Sequence, residues 1–325
     1  IINFVYMSKK IIYLYILLIL NACNSKHQSV GQFNDLTIVT SSEDRDYIYP
    51  YLSKIIDKSI NTPLEEKVFN VKWVDADNFF DYKYNNNIIL ISLDNPPDST
   101  ADILYDKFSE ASDSKIFTIS DPFSDDQLLL SINAFDSIEL ANTLNDYSPW
   151  IYTIFNNRVL KSLFDTNNKN EMHADICSLL KDDYNLDIKV DENYKIIRSD
   201  NDFIWIGRGY PYRWLMIHIV DNDTVNDDVY ELYKAVISNK VKSVEIKDTF
   251  KSVEYETNYI KLSGMYEHED SDTGGPFVSF CYKDTLANSF IFISGFVNNP
   301  GKSKYRLIKQ LESIIINSKR TYNES

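Results

Sequence analysis

Residues 258–267 (NYIKLSGMYE), 276–282 (PFVSFCY) and 290–297 (FIFISGFV) decide the fold. Each is an apolar run of strand length, rich in the aromatic and β-branched residues that suit a pleated surface. Short turn-forming stretches join them. Strands linked this closely pair antiparallel, because parallel neighbours need a crossover of a dozen or more residues. A last helix is expected from Ser303 to Asn317. The C-terminal third therefore reads as a three-strand meander followed by a helix.

Upstream, Tyr194 to Ser199, Asp202 to Gly207 and Arg213 to Val220 read as strands. A helix over Asn226 to Ser238 carries Val229, Leu232, Tyr233 and Val236 at helical spacing, and another runs from Glu171 to Asp183. Asp165-Thr166-Asn167-Asn168-Lys169-Asn170 is polar and turn-rich and forms the best internal boundary. Before it, a helix over Ser137 to Phe164 contains Ser148-Pro149, where a break is expected because Pro disrupts a helix interior. Leu36 to Thr40, Val68 to Val74, Lys115 to Ser120 and Gln127 to Asn133 read as strands, and Asn87 to Leu93 as a buried central one. Ser41 caps a helix that places Ile48, Leu52, Ile55 and Ile56 on one face. The fold class is α+β, with helices packed on mixed or antiparallel sheets in two similar-sized halves, 34–166 and 167–320.

The N-terminus carries an address. Six residues precede Met7, and Lys9 and Lys10 stand before an unbroken apolar run from Ile11 to Leu20. That run is too short to span a bilayer as a helix, which needs about 20 apolar residues, but suits a signal peptide. It ends Leu20-Asn21-Ala22-Cys23, which resembles the lipobox of bacterial lipoproteins: an aliphatic residue, a small residue before the cut, and a thiol to take the lipid. Residues 1–22 are thus expected to be removed and Cys23 lipidated, with 23–33 as a flexible tether. Nine extended residues reach at most about 30 Å. Asn24, where an inner-membrane retention signal has Asp, points to the outer membrane, facing the periplasm or the cell surface.

The formal charge is −15, and loss of Lys9 and Lys10 makes it more negative. Such a body argues against nucleic acid and against peripheral binding to anionic lipid. Membrane attachment is expected through Cys23 alone. Cys177 and Cys281 read as buried small hydrophobes, with a disulfide as the alternative in an oxidising compartment.

Chemistry-bearing motifs are few. No HExxH, GxSxG, CxxC or Walker loop occurs, and His173, His218 and His268 are scattered. Gly207-Arg208-Gly209-Tyr210-Pro211-Tyr212-Arg213-Trp214 gathers two arginines and three aromatics in an acidic chain. Arg208 and Arg213 could grip a carboxylate or phosphate, while Tyr210, Tyr212 and Trp214 could stack on a sugar or peptide. The alternative places Trp214 in the core and pairs both arginines with local acids. Gly274 and Gly275 read as a turn needing positive φ, or as backbone open to a ligand. Glu267-His268-Glu269-Asp270-Ser271-Asp272 offers carboxylates that suit Ca²⁺ if the loop curls, and otherwise a solvated hairpin tip. Asp221 to Asp227 begins like an EF-hand loop but lacks its glycine, and Thr224 capping the next helix explains the same residues. No metal and no cofactor is expected.

The motifs Thr273-Gly274-Gly275-Pro276-Phe277-Val278-Ser279 and Ser294-Gly295-Phe296-Val297-Asn298-Asn299-Pro300, then Lys304-Tyr305 and Gln310-Leu311-Glu312, resemble a lipoprotein family known as domain of unknown function 4837. Phe203-Ile204-Trp205-Ile206 and Gln127 with its strand fit the same pattern, which spreads the resemblance over most of the chain. Thr273 stands where that family has a bulkier residue. The resemblance implies an envelope lipoprotein of unknown activity and brings no catalytic residues with it. The expectation is a membrane-anchored, non-catalytic module that binds an envelope protein or a small ligand. The alternative is a hydrolase of envelope polymers that uses loop carboxylates.

Overall fold

In the computed structural model the described residues are 26–60, 62, 64–95, 99–110, 112–221, 228–269, 273–285 and 287–321. Cys23 and the signal stretch before it lie outside them, as do 222–227 and 270–272.

The chain runs β1 (Asp35–Thr40), α1 (Arg45–Ile56), β2 (Ser59–Ile60), β3 (Glu66–Lys67), β4 (Asn70–Asp75), a 3-10 turn (Ala76–Asn78), α2 (Phe79–Tyr82), β5 (Asn87–Leu93), α3 (Ser99–Ser109), β6 (Ile116–Ser120), β7 (Leu128–Ala134) and α4 (Ser137–Asn167). It continues with α5 (Ala174–Tyr184), β8 (Leu186–Asp187), β9 (Tyr194–Ser199), β10 (Phe203–Arg208), β11 (Tyr212–Asp221), α6 (Val229–Lys240), β12 (Val244–Tyr255), β13 (Ile260–His268), β14 (Thr273–Asp284), β15 (Ser289–Asn298), α7 (Tyr305–Ile316) and β16 (Lys319–Arg320). This is an α+β fold.

The elements form two units. One comprises the residues up to Arg45 with Lys72–Ser137, and the other Asp46–Val71 with the chain from Ile138 onward. The division departs from the sequence halves 34–166 and 167–320, because residues 46–71 and 138–166 pack with the C-terminal elements. A polar linker marks where the chain turns, not which elements share a core.

The first unit is a five-stranded mixed sheet in the order β4-β1-β5-β7-β6. β1 and β7 flank β5 in parallel, and β6 runs antiparallel to β7. All seven residues of β5 and of β7 are buried, which is why neither shows alternation in the sequence. On one face Ala101, Leu104 and Phe108 of α3 and Phe79 of α2 pack against Val39, Ile88, Leu90 and Leu129. A side chain such as Phe79 contributes about 1.5–3 kcal/mol on full burial. Residues 27–31, expected to be a free tether, are tied down instead. Ser29 N donates to Asp125 O at 3.0 Å, Val30 N to Tyr84 O at 2.8 Å, and Asn86 N to Val30 O at 2.9 Å.

The second unit is built on a seven-stranded antiparallel sheet, β12-β13-β14-β15-β11-β10-β9. The meander expected from the sequence is its centre. Alternation sorts side chains to two faces. Val278, Phe280, Ile291, Ile293, Leu215 and Ile217 meet α7 (Ile308, Leu311, Ile314, Ile315) and α5 (Ile176, Leu180, Tyr184). Phe277, Phe292, Phe296 and Met216 meet Tyr230, Tyr233 and Ile237 of α6. A Cβ on Gly295 would lie 2.7 Å from Cβ of Leu311, so the glycine lets α7 sit down on β15.

Three further expectations change. β12, an edge strand, has no counterpart in the sequence reading, since most of its residues face solvent and leave no apolar pattern. α4 is continuous through Pro149; one lost hydrogen bond is outweighed by a buried stripe including Leu144, Ile151, Phe155 and Val159. α6 is capped by Asp228 rather than Thr224: its carboxylate accepts from Tyr230 N at 2.9 Å and Glu231 N at 3.2 Å.

Candidate functional site

Strand alternation takes the Gly207–Trp214 stretch apart. Arg208 forms an ion pair with Asp191, whose carboxylate is buried and also accepts from Asn193 N at 3.0 Å and Asn193 Nδ2 at 2.9 Å. Arg213 is buried on the α7 face and donates to Gln310 Oε1 at 2.5 Å. Burial pulls its guanidinium below the usual range. Trp214 points to the opposite face, 5.9 Å from Trp205 and 5.7 Å from Tyr266 between ring centres. Tyr210 and Tyr212 are exposed at the turn, 6.0 Å apart, with Lys302 Nζ 5.2 Å from the Tyr210 ring. The five residues therefore do not converge, and both arginines already have protein partners.

Gly274 and Gly275 lie within β14 and have no positive φ, which corrects the turn reading. Their reason is close approach of backbone. A Cβ would fall 2.4 Å from Tyr266 O at Gly274, and 2.0 Å from Val297 O at Gly275. The same bare stretch lines an open groove of about 510 Å³, together with Lys247, Phe250, Tyr266, His268 and Lys304. The Tyr266 hydroxyl and His268 Nδ1 are buried and meet no hydrogen-bond partner among the described residues, but alternation turns both side chains to the α6 face with Val244 and Ile246, away from Lys247 and Glu267. Phe250, half exposed with φ +60°, stands at the rim. Lys247 is held by Glu245 at 2.6 Å and by Glu267 at 2.8 Å, so Glu267 already has a protein partner.

A second cluster escaped the sequence reading. Lys309 and Glu312 sit one turn apart on α7 and both are buried. Lys309 Nζ meets Glu312 Oε2 at 2.8 Å and donates to Asn156 Oδ1 at 2.8 Å. Lys261 of β13 reaches Glu312 Oε1 at 2.9 Å. Burial works against the charge on Glu312, but Lys261 and Lys309 outweigh it and hold the carboxyl at about 2. Burial pulls the Lys309 ammonium down, opposed by Glu312 and reinforced by Lys261. The available signal was two charges spaced i, i+3 among the apolar residues of α7, a pattern that reads equally well as a solvent-facing pair.

The remaining candidates have structural roles. His218 is buried, its Nδ1 3.0 Å from Asp202 O, and burial lowers its pKa. His173 caps α5. Cys177 and Cys281 pack in core clusters on opposite faces of the sheet and are both free thiols, so they do not form a disulfide; burial pushes Cys281 up to about 12. Among the described residues no group of three or more His, Cys, Asp or Glu is arranged to hold a metal, and no helix is long and apolar enough to cross a membrane.

Fold and sites together define an α+β protein with a sheet-end groove and a buried ionic cluster. Residues 173–317 match the family model described as Domain of unknown function (DUF4837), and residues 29–167 match a second, Domain of unknown function (DUF8532). The resemblance expected across most of the chain thus narrows to its C-terminal part, and the N-terminal part matches a model of its own. No curated protein matches the chain. Among solved structures, a mutant of the protein Mog1 is 8% identical with TM-score 0.32, over 43% of this chain and 92% of its own. The Saccharomyces cerevisiae Ran-binding protein Mog1p is 7% identical with TM-score 0.32, over 42% and 90%. A Bacteroides thetaiotaomicron structure is 9% identical with TM-score 0.27, over 43% and 47%.

Proposed function

We propose that this protein is a lipid-anchored, non-catalytic binding module of the bacterial cell envelope, and that the groove at the β12–β14 end receives its ligand or partner segment. The groove's construction carries the reading. Gly274 and Gly275 strip one wall to backbone, and Lys247, Glu267 and Lys304 bring charged groups to the same place. Bare backbone beside charged side chains offers a ligand both close approach and hydrogen bonds. The lipobox-like Leu20-Asn21-Ala22-Cys23 supports the anchor, and Asn24 supports the outer membrane. His27 O already accepts a backbone hydrogen bond from Asp125 N, so the reach from Cys23 shrinks to about 14 Å. Partners are then envelope proteins or small solutes beside that membrane.

The test replaces Phe250 with a photo-crosslinking phenylalanine in cells, with Tyr147 as the control position. Discrete adducts from 250 that weaken in Lys247→Ala and are absent from 147 are expected. Equal labelling from both positions, or lipid labelling that persists in Cys23→Ala, would overturn the groove or the anchor respectively.

A further inference from the structure

Residues 26–31 are fastened to one end of the first unit, the end of its sheet where the parallel strands β5 and β7 begin. Asp125 N donates to His27 O at 2.9 Å, Ser29 N to Asp125 O at 3.0 Å, and Val30 N to Tyr84 O at 2.8 Å. The rings of His27 and Tyr84 are 6.3 Å apart, and Lys26 Nζ donates to Asp121 O. From Cys23, where lipid is expected, three residue steps lead to Lys26, a span of at most about 11 Å. A headgroup layer is itself about 5–8 Å deep, so such a lipid holds this end against the bilayer.

Apolar side chains stand out in water at the same end. Val30 is 60% exposed, Phe80 58% and Tyr84 38%. Phe80 rests on a filled aromatic layer: its ring lies 5.5 Å from that of Phe79, which packs on Phe108 at 6.3 Å and on Phe123 at 5.7 Å. Lys83 Nζ lies 5.8 Å and Lys107 Nζ 5.7 Å from the Phe80 ring, and Lys83 Nζ is 4.9 Å from the Tyr84 ring. Lysine keeps its stem on apolar surface while its ammonium reaches polar oxygens beyond. Exposed Asp81, Asp125 and Asp126 offset Lys26, Lys83 and Lys107 there, so this surface does not select a polyanion. Aromatic rings flanked by amphipathic lysines suit the boundary between headgroups and acyl chains.

We propose that this end of the first unit lies on the membrane, with Val30, Phe80 and Tyr84 seated at the headgroup–acyl boundary and Lys83 and Lys107 reaching headgroup oxygens. The contact rests on the lipid anchor at Cys23 and is independent of the groove. It needs no anionic lipid, in keeping with the acidic character of the chain.

The test places a photo-crosslinking phenylalanine at position 80 of the protein purified from membranes and reconstituted into phosphatidylcholine vesicles. Position 135 is the control: Phe135 is 54% exposed and follows β7 at the opposite end of the same sheet, about 23 Å away. Lipid adducts are expected from 80 and not from 135. With the crosslinker at 84, Phe80→Asp should lower the lipid adducts about fivefold or more at an unchanged melting temperature, because burying about half a phenyl ring contributes roughly that factor. Adding phosphatidylglycerol should not raise the yield. Equal yields from 80 and 135, adducts to protein alone, an undiminished yield in Phe80→Asp, or a requirement for phosphatidylglycerol would each overturn the contact and leave the anchor standing. Intact mass reads the anchor separately, and a mature chain without acyl groups on Cys23 would overturn both.

Discussion

The Glu66 carboxylate caps helix α7, accepting the backbone N–H of Lys304 at 2.8 Å and of Tyr305 at 2.9 Å across a sequence separation of 238 residues for the first of them. The first N–H groups of any helix have no partner within it and form its positive end. Lys304 in the cap position supplies no side-chain acceptor, so the β2–β3 hairpin supplies one instead. Ser303 Oγ also donates to Glu66, at 2.5 Å. Glu66→Ala should lower the unfolding free energy by about 1 kcal/mol, and Glu66→Gln by less, in urea titrations. A midpoint unchanged in Glu66→Ala would mean that water caps this helix equally well.

Stability should fall in acid because of Glu312. Its folded pKa of about 2 is below the ordinary 4.5, so its contribution is complete above pH 4.5 and is lost as the pH drops from there towards 2. The shift corresponds to about 3 kcal/mol. Thermal melts at pH 7, 4 and 3 should show this loss. Glu312→Gln should be less stable at pH 7, where it leaves two buried ammonium groups, and should lack this part of the acid dependence. An equally steep acid limb in the variant would assign the effect to other carboxylates.

Arg208 and Tyr210, close in sequence, should respond to truncation in opposite ways. Arg208→Ala strands the buried Asp191 carboxylate and should cost about 3 kcal/mol. Tyr210→Ala removes an exposed ring and should change stability by no more than about 0.5 kcal/mol. Paired chemical denaturation curves check both. A neutral Arg208→Ala would return that residue to the surface as a free recognition group.

Two glycines make a sharper contrast. Gly275→Ala sets a methyl against the Val297 carbonyl at 2.0 Å and should cost about 3 kcal/mol or more. At Gly209 nothing lies within 4 Å of the new Cβ, and the alanine should be tolerated. Expression level and melting temperature of the two variants suffice as a readout. Similar behaviour of both would remove close strand packing as the reason for Gly275.

The parts of the fold legible in the sequence were those with a strong local period or an unbroken apolar run. Asn87–Leu93, Leu128–Ala134 and the meander belong to that class, as do Val229, Tyr233 and Val236 of α6. β12 was not legible: an edge strand need not be apolar on both faces, and most of Val244–Tyr255 meets solvent. The free tether was misjudged because polar composition does not reveal that Ser29 and Val30 find backbone partners at Asp125, Tyr84 and Asn86.

The sequence by itself determined the α+β class and the antiparallel meander with its closing helix, and it raised the expectation of a signal and lipidation motif around Cys23. Local pattern is enough for these, since backbone hydrogen bonding and apolar period act between near neighbours. Tertiary structure alone decided the sites. Consecutive strand residues face opposite ways, so Arg213 goes to Gln310 and Trp214 to Tyr266, and the apparent recognition stretch dissolves. Register and helix packing bring Lys261, Lys309, Glu312 and Asn156 together from three distant elements. No local pattern encodes that meeting, because each charge is commonplace alone and acquires its character only when buried beside the others.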